Sequence, residues 1–385
     1  MYNFDEITDR SGTLSCKWDI AEGELPMWIA DMDFAVAEPI REAICKRAEH
    51  GIYGYSYTPD EYFESVSRFF ERNHGFKIPA EYMVYTSGVV AAISSMVRKL
   101  TTPAEKVLIQ APVYNIFYNS ILNNGRVVLS SDLVYENGEY HIDFADLEEK
   151  MADKQTSLMI LCNPHNPVGK VWCKQELAKI GDLAKKYGVT VISDEIHCDI
   201  TKPGVEYVPF ASVSDVCADI SVTCIAPSKT FNIAGLQSAI AYAKNPVLRH
   251  KVFRGVNTDE VGEPNVFAMQ AGIAAYSECD EWVKAMREYV FENKAIAKEY
   301  IERNIPELHL VPSDATYLSW IDISAVSNDS VDFTKRLREA TGLFLNDGAE
   351  YGESGRAFVR MNLGTQRTRV LDGLERLERF VNGLK

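Results

Sequence analysis

The sequence contains no CxxC pair, no HxxxH pair, no GxGxxG and no long uninterrupted apolar run. Each absence removes a class of function. A chain without some eighteen consecutive apolar residues is not expected to span a membrane as a helix. Without GxGxxG a dinucleotide fold is not expected, and without paired histidines neither is metal catalysis, so no metal is assigned. "NPVGKV" offers Gly169 and Lys170, but Pro164 stands where a nucleotide-binding loop needs its first glycine. Basic charge is short as well: 40 Lys and Arg face 55 Asp and Glu, for a net charge of −15. Nucleic acids and anionic membranes need a basic footprint, so neither is an expected partner. The start, "MYNFDEITDR", is acidic and polar, with no apolar export signal. Several of the eight cysteines, such as Cys162, Cys198 and Cys224, lie in or beside apolar runs, where a thiol packs as a small hydrophobe. Together these features predict a reduced, cytoplasmic protein without disulfides.

At 385 residues the chain exceeds one small core, and length alone predicts more than one domain. From about residue 82 to 242, short apolar runs alternate with helix-like stretches. "YMVYT", "KVLIQA", "RVVLS", "SLMILC", "VTVISD", "ISVTCIA" and "SAIAYA" read as strands. Amphipathic segments such as "KQELAKIGDLAKKYG", stopped by Gly188, lie between several of them. Strands apolar on both faces and alternating with helices predict an α/β architecture around a mostly parallel sheet. In such sheets ligands bind beyond the carboxyl ends of the strands. After residue 286 the pattern changes to a long helix, "TYLSWIDI", "AFVRMNL" and a charged closing helix, which predicts a smaller α+β domain. The expected division is 1–45, an N-terminal segment packing with the small domain, 46–285, the large domain, and 286–385, the small one.

The strand ends carry an unusual polar set. "YMVYT" runs into "SGVVAAISSMV", where the amides of Gly88 and Val89 are either an ordinary helix start or a phosphate site. Tyr114, after "KVLIQAP", is either core or a ring stacked on a flat cofactor. "NPHNPVG" is a turn, and Asn166 in it can also present an amide. Asp194 ends a buried strand as a cap or as a carboxylate awaiting a cation; His197 follows three residues later. Ser228 and Lys229 end the next strand, with no acid beside the lysine in sequence. Each signal has a plain structural reading. Jointly they converge on pyridoxal phosphate: a lysine to condense with the aldehyde, an aspartate to keep the pyridine nitrogen protonated, a ring and an amide to fix the plane, and a helix start with Ser228 for the phosphate.

"PMWIADMDF", "YGYSYTP", "NPHNPVGK", "SDEIHCDI", "APSKTFNIAGLQ", "ATYLSWIDI" and "GRAFVRMNLG" occur in that order. With them the chain resembles the pyridoxal-phosphate enzymes of the aspartate aminotransferase fold, and within them the cystathionine β-lyase, or C–S lyase, branch. The resemblance implies a large mostly parallel sheet domain with a smaller α+β C-terminal domain. It makes Lys229 the cofactor lysine, with Asp194 on the pyridine nitrogen, Tyr114 on the ring and Asn166 on the ring hydroxyl. His197 stands where many aminotransferases have a tyrosine. Arg360 in "VRMN" matches the arginine that takes the substrate α-carboxylate, a job suited to bidentate donation. Tyr55 or Tyr57 would reach the phosphate of the other subunit, which implies a homodimer. Two departures stand out: Ala226 replaces a serine often used for phosphate contact, and "NLGTQRT" replaces a usual Cys-Pro-Arg run. The expected activity is β-elimination from cystathionine or another cysteine S-conjugate; the alternatives are an aminotransferase and a regulatory protein that retains the fold.

Overall fold

The computed structural model describes residues 2–384. All seven predicted strands are present: β1 (Met83–Thr86), β2 (Lys106–Ile109), β3 (Val127–Ser130), β4 (Thr156–Cys162), β5 (Thr190–Asp194), β6 (Ser221–Ile225) and β7 (Ala239–Tyr242). They form one sheet in the order β1-β7-β6-β5-β4-β2-β3. Neighbours are parallel except at β7, which runs antiparallel to both β6 and β1.

The continuous apolar runs have a simple cause. Successive side chains of a strand point to opposite faces, and here both faces are covered. Val107, Ile109, Leu158, Ile160, Ile192 and Val222 pack on one face with helices Val89–Leu100 and Pro246–Thr258. Leu108, Met159, Leu161 and Val191 pack on the other with helices Phe144–Ala152 and Lys174–Tyr187. Gly188 ends the last of these at φ +73, a left-handed cap that glycine adopts without strain.

A second sheet, antiparallel throughout, runs β8 (His309–Leu310), β9 (Leu318–Asp322), β11 (Phe358–Asn362), β10 (Asn346–Asp347). Ile321, Val359 and Met361 pack there against Phe333, Leu337, Leu374 and Leu377, with Leu25 and Met27 from the N-terminal segment. Trp320 and Phe358 stack at 5.2 Å and join the core under the large sheet. The long helix spans Asp280–Asn304, starting before the expected Met286. Its first turn holds Asp280 and Glu281, acids that suit the positive end of the helix dipole, a quieter start signal than glycine or proline. Trp282, Met286 and Val290 belong to the core that carries the N-terminal helices, whereas Ala297 and Ile301 belong to the small-sheet core. One element therefore joins the two cores. No helix among the described residues is long and apolar enough to cross a membrane.

Candidate active site

The carboxyl ends of the parallel strands open on a cavity of about 500 Å³. β1 leads through Ser87 and Gly88 into helix Val89–Leu100. Gly88 is extended, φ 176, so its bareness relieves no strain; a β-carbon there would meet nothing within 4 Å, because the residue faces the cavity. Ala92 N is bonded back to Gly88 O at 3.0 Å, and the earlier amides of the first turn lack helix acceptors and form an anion-binding end. Tyr114, Asn166, Asp194, His197, Ser228 and Lys229 line the same cavity, as do Gln237 and Ser238, which sequence reasoning did not single out.

Asp194 and Glu195 show how neighbouring acids acquire different roles. Both are buried. Glu195 receives hydrogen bonds from Ser193 Oγ at 2.7 Å, Phe210 N at 2.9 Å, Asn163 Nδ2 at 3.3 Å and the Tyr207 hydroxyl. Asp194 receives one, from Ile196 N at 3.1 Å. Burial therefore pushes its carboxyl up to about 7, with Glu195 adding to the effect. A cation in the cavity would restore the ionised form. Lys229 is pulled the other way: burial lowers its ammonium to about 8, opposed by Asp31. The acid absent from its sequence neighbourhood thus arrives from residue 31. Its amine is not free of partners, since Nζ donates to Ala30 O at 2.6 Å. Burial, then the charges of Lys229, Arg360 and Lys294, hold His197 neutral, down to about 3, and its Nδ1 has no partner.

Arg360 lies on β11 outside the cavity wall and reaches the site through its guanidinium. Nη1 donates to Asn166 Oδ1 at 3.3 Å, and Nη2 to Asn346 Oδ1 at 2.8 Å and Trp28 O at 2.9 Å; Nε is buried without a partner. The segment 28–34, quoted above only as a family signature, is held carbonyl by carbonyl. Asn362 Nδ2 takes Ile29 O and Asp31 O, the Tyr317 hydroxyl takes Ala30 O, Gln366 takes Asp33 O, and Asn232 takes Met32 O and Phe34 O. The segment thus joins the turn of Lys229 to the strand of Arg360. Sequence reasoning missed it because carbonyl oxygens have no letter in the sequence. The signal available was a set of side-chain amides, Asn232, Asn362 and Gln366, beside the two cationic candidates.

Tyr55 and Tyr57 are not brought to the cavity. They are 102% and 80% exposed and border a separate hollow with Arg47, His50 and Gln270. The sequence spacing also gave no hint that His74, Cys198 and Asp199 place metal-ligating atoms within 4.8 Å of one another. There Asp199 accepts from His74 Nε2 at 2.7 Å and Thr230 Oγ1 at 2.6 Å, which fastens helix Asp60–His74 to the residue after Lys229.

Pyridoxal phosphate fits what is present: an under-bonded carboxylate for a ring cation, a buried amine of lowered basicity for an aldehyde, free amides for a phosphate, and an aromatic side wall. The pattern of the family described as aminotransferase class I and II matches residues 29–377. The chain belongs to that family. It is 41% identical to cystathionine beta-lyase PatB of Bacillus subtilis, over 98% of this chain and 99% of that one. It is 33% identical to protein MalY of Escherichia coli, over the whole of both. Cystalysin from Treponema denticola, solved with a pyridoxal 5′-phosphate cofactor, superposes with a TM-score of 0.96 at 32% identity, over 100% of both chains.

Proposed function

We propose that this chain is a pyridoxal-phosphate-dependent C–S β-lyase that converts cystathionine or a related cysteine S-conjugate to pyruvate, ammonia and a thiol. The observation that carries the reading is the pairing, in one cavity, of the under-bonded Asp194 carboxylate with the Lys229 amine, in a chain with C–S lyase relatives along its full length. When bound, the cofactor supplies an electron sink for the pair of electrons left at the substrate Cα.

The residue roles follow from their chemistry. Arg360 binds the substrate carboxylate: its partnerless Nε and the Nη that Asn166 shares are donors ready for two oxygens. Asp194 holds the proton on the pyridine nitrogen, and Tyr114 and Asn166 orient the ring. Ser228, Gly88 and Val89 bind phosphate at the helix start. His197, kept neutral, packs beside the ring without adding charge. Lys229 Nζ takes the Cα proton; its lowered basicity leaves a useful share of neutral amine near neutral pH. The Cα pair forms a Cα–Cβ double bond, the Cβ–S pair leaves on sulfur, and water converts the remaining three carbons to pyruvate and ammonia.

The same reading extends to assembly and compartment. We place the protein in the cytoplasm as a homodimer, with Tyr55 or Tyr57 reaching the partner's phosphate site. Its large domain would be 46–285 and its small domain 286–385, with 1–45 packed on the latter. Exposed aromatics at Tyr53, Tyr55 and Tyr57 and the packing of Leu25 and Met27 with the small sheet support this.

Supplied with cystathionine alone, the purified protein should turn over many times and release pyruvate, ammonia and homocysteine. Turnover that stops after one equivalent and resumes only on adding a keto acid would identify a transaminase instead. Borohydride reduction and peptide mapping should place the pyridoxyl label on Lys229; a label on another lysine would overturn its role.

A further inference from the structure

Two donors converge on one backbone oxygen beside the cavity. Lys229 Nζ donates to Ala30 O at 2.6 Å, and the Tyr317 hydroxyl donates to the same oxygen at 2.9 Å. A carbonyl oxygen has two lone pairs, so these two donors fill it. Tyr317 is 1% exposed, and its ring packs edge-on against His197 at 6.1 Å. Burial pushes its phenol well up, so the hydroxyl keeps its proton and acts as a donor. The flanking carbonyls of Ile29 and Asp31 are held by Asn362 Nδ2 at 2.7 and 2.6 Å, which fixes the orientation of the Ala30 peptide on both sides.

We propose that Tyr317 is a positioning residue for the reacting amine of Lys229, acting through the Ala30 carbonyl to which both donate. The inference rests on Lys229 being that amine. By occupying one lone pair, Tyr317 leaves the other as the single docking direction for Nζ whenever the amine is free. It also weakens the oxygen as an acceptor for an ammonium, because a hydrogen bond already drains its electron density. Asp31 and Asp194 both attract a protonated Nζ. The shared carbonyl gives the amine a fixed place that does not depend on its holding a proton. Removing the hydroxyl leaves the oxygen wholly to Lys229, favours the ammonium, and lowers the share of amine able to take the Cα proton.

The test is Tyr317→Phe, which keeps the ring and its contact with His197. In the full chain freed of cofactor, competitive acetylation of Lys229 read by mass spectrometry gives the pH midpoint of the amine. The midpoint should rise by about half a unit or more relative to wild type. In the cofactor-loaded enzyme kcat near neutral pH should fall about threefold or more, in step with the midpoint, with KM changed less than about twofold. Tyr276→Phe, which deletes a buried hydroxyl elsewhere in the same core, should leave the midpoint in place. A midpoint that stays or falls in Tyr317→Phe, a loss confined to KM, or an equal shift in Tyr276→Phe would overturn the proposal. Borohydride mapping decides the role of Lys229 separately. A labelled Lys229 with an unmoved midpoint overturns the inference alone, and an unlabelled Lys229 overturns the reading beneath it.

Discussion

Asp194, the carboxylate proposed to face the cofactor, and Glu195 differ in the hydrogen bonds each receives, one against four. Removing Asp194 takes away one acceptor that the fold barely uses, so Asp194→Ala in the cofactor-free chain should unfold at no lower temperature than wild type at pH about 8, where the buried charge is a burden. Its kcat in the loaded enzyme should fall by about 100- to 1000-fold, the range seen when one preorganised charge is lost. Glu195→Ala should do the reverse to stability, since it strands Ser193 Oγ, Phe210 N and the Tyr207 hydroxyl while Asn163 Nδ2 keeps only Val208 O, and cost about 3 kcal/mol or more in denaturant unfolding. A buried base behaves with the opposite sign. Lys294 donates to Ser313 Oγ and Ala315 O, and burial lowers its ammonium to about 7. Between that value and the unfolded value of about 10.4 the unfolded chain binds more protons, so stability rises with pH across this window, and the penalty is complete below it. The advantage of Lys294→Met over wild type should therefore shrink by roughly 2–3 kcal/mol between about pH 7 and about pH 9, measured by denaturant unfolding at each pH. Sequence exposed Lys229 and Asp194 because a charged residue closing an apolar strand is conspicuous. It hid Tyr317, whose contact is with a backbone oxygen 287 residues away.

The seven strands were legible because burial on both faces writes itself as an unbroken apolar run, and that rule is local. Strand direction is not: "SAIAYA" looks like its parallel neighbours, and only the short path from Lys229 through Gln237 makes β7 return antiparallel. Segment 28–34 escaped for a related reason. Its residues follow neither a strand nor a helix pattern, and much of what fixes the segment is borrowed from three distant stretches, residues 229–232, 317 and 360–366. Asn232 is the key among these. It sits at φ +57, where asparagine is tolerated, accepts from Met32 N at 3.0 Å and donates to two carbonyls of the segment. Asn232→Gly keeps that backbone conformation and deletes the three bonds. At about 0.5–1.5 kcal/mol per bond the loss should total roughly 2–4 kcal/mol. Hydrogen exchange should accelerate at residues 28–34 before the large sheet opens. Protection unchanged in that segment would mean that Lys229, Tyr317, Arg360, Asn362 and Gln366 suffice to hold it.

For the whole molecule, the informative surface is the stretch that the fold leaves uncovered. Ile52, Tyr53, Tyr55 and Tyr57 are all exposed within six positions, and exposed apolar clusters of this kind mark contact with another protein. A second copy is the partner proposed here, because a two-fold axis would let each copy lend the segment to the other's phosphate site. This has a quantitative consequence. Mix a Lys229→Ala chain with a Tyr55→Phe/Tyr57→Phe chain in equal amounts and let the subunits exchange. Half of the dimers become hybrids, and each hybrid contains one site with both its lysine and its borrowed tyrosines intact. The mixture should then recover about a quarter of the wild-type sites, seen as cystathionine turnover that neither chain gives alone. Sedimentation should report two chains per particle at the same concentration. A monomer there, or a mixture no more active than the sum of its parts, would leave the tyrosines without a partner site to reach.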